Sequence, residues 1–209
     1  MSTKNQLAQT ANIFKKPSKA YAQEMILRIY EQCPDMETDL AQLYTYFMPS
    51  IPKKPKTPFD WVAKAIGKKD VRYYLNWVHV TTEFITATDG HRMHRAPNVT
   101  HLAPGFYDAH GHKIHEPDYA KFPDVERIVP RNDTMSDITT DMDTATIEVT
   151  GQVHAYRFAS TNHKINTLYM DELLSYGSHY TIRAGEDTNR AIYAEYPDGS
   201  HGVVMPMRD

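Results

Sequence analysis

The segment Gly202-Val203-Val204-Met205-Pro206-Met207-Arg208-Asp209 closes the chain with an apolar run of valines and methionines. Chain ends are usually polar and frayed, so this run requires an explanation. One interpretation is a last strand of the core. The other is an adaptable apolar groove for the side chains of a partner, because flexible thioethers suit binding surfaces that accept varied ligands. The rest of the sequence has to separate the two.

Three further segments carry a recognisable pattern. They are residues 69–76, Lys-Asp-Val-Arg-Tyr-Tyr-Leu-Asn, residues 87–93, Ala-Thr-Asp-Gly-His-Arg-Met, and residues 122–130, Phe-Pro-Asp-Val-Glu-Arg-Ile-Val-Pro. In this order, and with the Val-Val-Met-Pro-Met-Arg ending, they resemble the β sliding clamps, the processivity subunits of bacterial DNA polymerase III. The resemblance covers roughly residues 57–209, whereas residues 1–50 have no counterpart in it.

The composition is ordinary for a soluble globular protein. A length of 209 residues favours one domain plus an appendage, with two small domains as the alternative. No apolar run approaches the roughly 18 residues of a membrane span, and the first residues lack the apolar core of a signal peptide. The single cysteine, Cys33, either fits a reducing compartment or is simply a core residue. We therefore expect a cytoplasmic protein, in a bacterial cell or in a phage-infected one, with no membrane partner.

Local patterns predict a separate amino-terminal part. Apolar residues recur at helical spacing over 19–32 and 36–47. Prolines then recur at every third residue between 49 and 58, a spacing typical of a semi-rigid linker. We expect residues 1–56 to form a helical extension with a Pro-rich linker. It is either a tethered hairpin or a cap over an exposed sheet edge.

Residues 57–209 are expected to form a single domain in which short strands alternate with two helices. The helices are predicted between Thr57 and Gly67 and over 165–176. Strands are predicted over 71–80, 82–88, 144–150, 153–159, 179–184, 190–196 and 202–207. Residues 97–121 are predicted to form a loop or a short hairpin at 108–111. These patterns alone indicate an α+β fold. The resemblance implies a DNA-clamp-like domain of two strand-helix-strand half-repeats, whose helices face the hole of a ring.

In the family, one pocket receives a short linear peptide, similar to Gln-Leu-x-Leu-Phe, from polymerases and clamp loaders. The resemblance implies that the corresponding pocket here is lined by Leu75, Thr88, Gly90, His91, Arg92, Met93, Pro123, Arg127, Ile128, Asn166, Tyr169, Val203, Val204, Met205, Pro206, Met207 and Arg208. An apolar floor would hold leucine and phenylalanine anchors. Val125 and Glu126 stand where the family favours an aromatic and a basic residue, so we expect the pocket rim to differ. Asp89-Gly90 also fits a plain turn.

A DNA contact is implied for Arg72, Tyr73 and Tyr74, which match family residues that touch DNA near the central hole. A cation beside two aromatic rings suits contact with phosphates and bases. The alternative is that strand alternation buries one tyrosine and leaves Arg72 as ordinary surface. The formal net charge of −3 argues against tight phosphate-driven binding but not against a loose contact with DNA.

Catalytic and metal chemistry find little support. His110, His112 and His115, with Asp108 and Glu116, suggest a metal site, but they lie in a predicted loop without a spaced ligand pair. The sequence contains neither a Gly-x-Ser-x-Gly nucleophile motif nor a phosphate-binding loop. We therefore expect no enzymatic activity, no metal and no cofactor.

The sequence thus predicts a sliding-clamp-like DNA replication accessory protein, a processivity element that binds the clamp-binding peptides of a DNA polymerase or other replication factors. Family chains hold three such domains and two chains close a ring, so a one-domain chain would need six copies around double-stranded DNA. The alternative is a monomeric adaptor or decoy, suited to a phage, that binds host replication proteins without encircling DNA.

Overall fold

The computed structural model describes residues 25, 28, 29, 31–33, 54–115, 121–129, 136–138, 145–150, 153–159, 161–185 and 187–208. The chain divides into two compact units, residues 1–50 with 149–154 and residues 51–148 with 155–209. The described residues of the helix expected over 19–32 are helical. The helix expected over 36–47 lies outside the described residues, and the domain boundary at residue 56 stays a prediction.

From residue 54 onward the described chain is α+β, as the sequence predicts. Helix α1 spans Pro58–Ala63, helix α2 spans Thr167–Leu174, and 3-10 helices span Tyr73–Asn76 and Val125–Arg127. The strands are β1 Val78–Val80, β2 Phe84–Thr88, β3 Arg92–Pro97, β4 Gly105–Tyr107, β5 Lys113–Ile114, β6 Ser136–Ile138, β7 Ala145–Thr150, β8 Val153–Phe158, β9 Lys164–Asn166, β10 Thr181–Ala184, β11 Ile192–Glu195 and β12 His201–Val204. In the described part of the chain, no helix has the length and apolar character to cross a membrane.

The larger sheet has nine strands in the order β5-β4-β1-β2-β3-β12-β11-β10-β6, and each pairing within it is antiparallel. Strands β7, β8 and β9 form a second sheet. Strands from before residue 115 make up one side of the larger sheet, and strands from after residue 135 make up the other. The two sides join where β3 pairs with β12, with Val203 opposite Met93 and Val204 opposite Arg92.

Local signals explain where α1 begins. The Thr57 hydroxyl accepts from the backbone N–H of Asp60 at 3.1 Å, and the Asp60 carboxylate accepts from the N–H of Thr57 at 3.0 Å. This capping box, with Pro58 in the first turn, starts the helix at the residue the sequence predicts. Across the fold, the Trp61 indole N–H lies 3.1 Å from the carbonyl oxygens of both Glu172 and Leu173. This contact ties α1 to the last turn of α2.

The strand predicted over 71–80 is wrong in its first part, where the chain forms the 3-10 helix Tyr73–Asn76 instead. The Asn76 side chain accepts from the N–H of Asp70 at 2.9 Å and donates to its carbonyl at 2.9 Å. Such side-chain bonds offer the backbone an alternative to a sheet ladder. The hairpin predicted at 108–111 is confirmed, because β4 and β5 pair on either side of it.

The main core lies between the two helices and one face of the larger sheet. It includes Trp61, Ile85, Phe158, Leu173 and Val204, all almost fully buried. Apolar burial of this kind is the main favourable contribution to folding.

A buried histidine of β3 belongs to this helix-facing side of the sheet. The His94 ring stacks on Trp61 with a centroid separation of 4.4 Å, and its Nδ1–H donates to the Trp61 carbonyl at 2.8 Å. Burial lowers the pKa of His94 to about 3, so the imidazole is neutral near pH 7.

A second, smaller cluster covers the opposite face of the same sheet. Neighbouring residues of a strand point to opposite faces, so Met93 and Val203 face away from the helices that His94 and Val204 meet. Met93, Tyr193 and Val203 are buried there against Val125 and Val129. We call this side the outer face of the sheet.

Gly202 on β12 allows α2 to approach the sheet closely. A Cβ atom at this position would overlap the Leu173 side chain and would lie 2.8 Å from the carbonyl oxygen of Met93. Both neighbours are parts of packed elements, so neither can move away freely.

We expect Gly202→Ala to lower the free energy of unfolding by about 2–3 kcal/mol, because the added methyl group overpacks the contact between α2 and β12. The matched control is Gly177→Ala, whose Cβ would meet Tyr196 carbons at an ordinary 3.6 Å. This control should change stability by less than about 1 kcal/mol. Urea unfolding of both variants measures the difference. Equal losses of unfolding free energy in the two variants would contradict the close contact between α2 and β12 at Gly202.

Candidate functional site

A pocket of about 200 Å3 opens on the outer face of the sheet, next to the cluster of Met93 and Val203. Predicted pocket residues that line it are Leu75, Thr88, Gly90, His91, Arg92, Met93, Pro123, Ile128, Val203 and Met205. Four further residues line it, namely Arg72, Tyr74, Asp124 and Val125. Segments from distant parts of the sequence therefore form one concave surface.

The turn between β2 and β3 forms one side of the pocket. The Asp89 carboxylate accepts from the backbone N–H groups of His91 and Arg92, each at 2.9 Å. The Thr88 hydroxyl donates to the Arg92 carbonyl at 2.6 Å and accepts from the N–H of Gly90 at 3.1 Å. Gly90 has a backbone φ of +88°, a value that residues with a side chain rarely adopt. Asp89-Gly90 is therefore a turn, and the same turn presents Gly90 and His91 to the pocket.

The end of the chain forms the floor of the pocket, and its last strand agrees with the core-strand interpretation of the terminal apolar run, whereas a groove for a partner stays a prediction. Val203 and Val204 are buried in the last strand, as a core strand requires. The ladder then continues by one bond, in which the N–H of Met205 donates to the His91 carbonyl at 2.8 Å. This bond holds Met205 beside the turn, where the residue remains 40% exposed and lines the pocket.

Residues 122–129, which we call the pocket wall, close the opposite side. Asp124 caps the 3-10 helix of the wall by accepting from the N–H of Glu126 at 3.3 Å. Val125 and Val129 pack against the cluster on the outer face, while Pro123 and the exposed Ile128 face the pocket. Asp124 and Val125 belong to the wall segment that the sequence singled out, but they were not among the predicted lining residues.

The two arginines of the pocket are both neutralised by carboxylates. Arg72 makes two hydrogen bonds to the Asp70 carboxylate, at 3.0 and 2.9 Å, and this interaction is the main cause that lowers the pKa of Asp70 to about 2. Arg92 is only 6% exposed and pairs with Asp89 at 3.2 Å and with Glu172. Burial lowers the pKa of Arg92 from its usual value.

Arg92 also ties the pocket turn to both helices. Its guanidinium donates to the carbonyl of Lys64, next to α1, at 2.6 Å. It lies 4.4 Å from the ring centroid of Tyr169 on α2, a cation–π distance. Because Glu172 is also on α2, this one side chain bridges the β2–β3 turn and the helical layer.

Other predicted pocket residues lie outside this pocket, namely Arg127, Asn166, Tyr169, Val204, Pro206, Met207 and Arg208. The Asn166 side chain caps α2 by accepting from two of its backbone N–H groups. Tyr169 lies under Arg92, and Val204 faces the main core. The N–H of Met207 donates to the Lys164 carbonyl at 2.7 Å, which carries the chain end past the pocket. A role for these residues in peptide binding stays a prediction.

The three residues predicted to contact DNA do not lie on a strand. Tyr73 and Tyr74 are in the 3-10 helix, with their rings 5.7 Å apart, and the Tyr73 ring lies 5.4 Å from that of Trp77. Arg72 precedes them, half exposed and paired with Asp70. Arg72 and Tyr74 line the pocket, so a DNA contact through them stays a prediction.

The histidine-rich turn between β4 and β5 is held by Asp108. Its carboxylate accepts from the backbone N–H groups of His110 and His112 at 2.8 and 2.9 Å. Glu116 lies outside the described residues. Among those that the structure describes, no group of three or more His, Cys, Asp or Glu side chains is close enough to hold a metal ion.

No protein-family model and no curated protein matches the chain. Structural neighbours of the chain are DNA polymerase III β sliding clamps. DNA polymerase III subunit beta from Borrelia burgdorferi is 13% identical, and the match covers 72% of this chain and 61% of that chain with a TM-score of 0.49. The DNA polymerase sliding clamp from Pseudomonas aeruginosa is 17% identical, with 78% and 69% covered and a TM-score of 0.48. The DNA polymerase III beta chain from Streptococcus pneumoniae is 13% identical, with 72% and 62% covered and a TM-score of 0.47. This chain therefore spans less than two thirds of the Borrelia protein.

We expect Arg92→Ala to destabilise the fold by about 3–5 kcal/mol, because it leaves Asp89 and Glu172 without their buried cation. The control Arg72→Ala removes an exposed pair, which water screens, and should lower the stability far less. Urea unfolding at neutral pH measures both, and a loss for Arg92→Ala no larger than that for the control would contradict the structural role.

Proposed function

We propose that this chain is a sliding-clamp-like replication accessory protein whose pocket binds a short linear peptide of a DNA polymerase or another replication protein. The observation that carries the proposal is the convergence of three segments on one pocket. The Asp-Gly turn, the pocket wall and the end of β12 are separated by tens of residues in the sequence and line the same concave surface. They are the segments that carry the resemblance to the β sliding clamps.

The size and lining of the pocket favour apolar side chains as its ligand. Pockets for whole small molecules usually have volumes of about 300–1,000 Å3. A volume of about 200 Å3 instead suits one or two side chains of a larger ligand. Leu75, Met93, Ile128, Val203 and Met205 supply the apolar lining.

Charge compensation strengthens this preference. Arg72 is paired with Asp70, Arg92 with Asp89 and Glu172, and the lining residue Asp124 with Arg127 at 3.1 Å. An apolar anchor can therefore enter without stripping an uncompensated charge of its water. The adaptable Met205 thioether, exposed at the floor, fits leucine or phenylalanine anchors alike.

The test is binding of a fluorescently labelled Gln-Leu-x-Leu-Phe peptide, followed by fluorescence polarisation. We expect Met205→Ala to weaken binding by about 10- to 30-fold, or about 1.5–2 kcal/mol, because it removes the exposed floor of the pocket. Val99→Ala, at an exposed apolar position on the turn after β3 and not in the pocket, is the control and should bind as the wild type does.

Met207→Ala extends the same experiment. A loss of affinity in this variant would show that the peptide continues along the chain end beyond the pocket. If the wild type does not bind the peptide, or if Met205→Ala binds it equally well, the proposal is wrong.

A second candidate function is a monomeric adaptor that binds replication proteins without encircling DNA. The observation that favours it is the charge of the helices. Helices α1 and α2 contain Asp60, Asp171 and Glu172 and no lysine or arginine. Affinity for DNA comes largely from lysine and arginine contacts to phosphates. Facing double-stranded DNA across a ring, these two helices would present no lysine or arginine of their own to its phosphates.

The two functions differ in retention on DNA. For the adaptor we expect a monomer by light scattering at micromolar concentration and equal, weak retention on circular and linear DNA, since helices without lysine or arginine make no ionic contacts to phosphates. The peptide assay run in parallel confirms that the protein is active. Retention on circular DNA that is lost when the DNA is linearised would instead establish a ring of several copies.

A further inference from the structure

An ion pair between Glu126 of the pocket wall and Arg95 of β3 links the wall to the sheet. We propose that Glu126 is a positioning residue that holds the wall at the distance from the β2–β3 turn at which a peptide side chain fits. This inference rests on the proposed peptide-binding function and identifies a residue that sets its affinity. Glu126 does not itself line the pocket.

Arg95 is held firmly on the outer face of the sheet. It lies two residues after Met93 on β3 and therefore points to the same face. Its side chain is 12% exposed, and the guanidinium carbon lies 3.8 Å from the ring centroid of Phe84 on β2. Its buried Nε has no hydrogen-bond partner among the described residues. Arg95 therefore offers a fixed cation to the wall.

The residues of β12 and β11 beside Arg95 do not compete with Glu126 for this ion pair. His201 lies opposite Arg95 on β12, and Glu195 lies opposite His201 on β11, one strand further away. Burial is the main cause that lowers the pKa of His201, so the imidazole is neutral near pH 7 and does not compete for the carboxylate. Among the described residues, Glu126 is the carboxylate that pairs with Arg95.

The wall depends on such side-chain anchors because its own backbone structure is minimal. Its 3-10 helix has three residues, Val125–Arg127, and short 3-10 helices have poor hydrogen-bond geometry. Val125 and Val129 anchor the wall through apolar contacts that tolerate sliding. The Glu126–Arg95 pair adds a directional anchor between them. Removing it would let Pro123 and Ile128, which line the pocket, shift relative to Met205.

The sequence at position 126 matches this arrangement. A carboxylate complements the fixed Arg95 cation, whereas a basic residue there would repel it. The wall of this chain is thus held by a pair that needs opposite charges at residues 95 and 126.

The test compares Glu126→Gln, which removes the charge and keeps the shape, with the same change at Glu83. Glu83 is an exposed carboxylate on the turn between β1 and β2 and does not line the pocket. Peptide affinity and dissociation rate are measured at low salt and at high salt. We expect Glu126→Gln to bind about fivefold more weakly, mainly through faster dissociation, and Glu83→Gln to bind within about twofold of the wild type.

The salt dependence of peptide affinity distinguishes a role of Glu126 in positioning the pocket wall from a general effect of the substitution on folding. High salt should bring the wild type towards the affinity of Glu126→Gln and should change that variant little, since it has no ion pair to screen. Thermal unfolding checks that the variant is folded. Equal affinities and salt dependences of the wild type and Glu126→Gln, or an equal loss in Glu83→Gln, would overturn the inference while leaving peptide binding intact. Failure of the wild type to bind peptide would overturn the proposed function as well.

Discussion

The antiparallel pairing of β3 with β12 is the contact on which the rest of the structure depends. It joins the two sides of the nine-stranded sheet across more than a hundred residues of sequence. Successive side chains of each strand point to opposite faces of the sheet. Val204 therefore packs in the main core, and Val203 packs in the cluster on the outer face. One further bond, from Met205 to His91, places the exposed methionine at the pocket. The fold and the candidate site therefore share one ladder.

The helical layer supports this ladder from the opposite side. Gly202 lets Leu173 of α2 contact the sheet directly, and Trp61 of α1 donates to carbonyls at the end of α2. Arg92 then connects the Asp-Gly turn to both helices. The pocket is thus built on rigid elements on its turn and floor sides, whereas its wall is a short segment held by side chains.

Several features could be predicted because their causes are local. The capping box at Thr57, the hairpin at Asp108 and the turn at Asp89-Gly90 each depend on residues within four positions of one another. The strand predicted over 71–80 failed in its first part because the Asn76 side chain bonds back to Asp70, a competition that apolar alternation does not reveal.

By itself, the sequence determined the α+β class, the turns, the helix start at Pro58 and the apolar character of the chain end, since side-chain pattern and backbone preference act over a few residues. Only the tertiary structure decided that Met205 opens into the pocket while Met207 passes beyond it, that Arg92 is buried in an ion-pair network, and that Glu126 meets Arg95. Each of these outcomes depends on which distant strands pair and in what register, and a one-residue shift would turn every side chain to the other face.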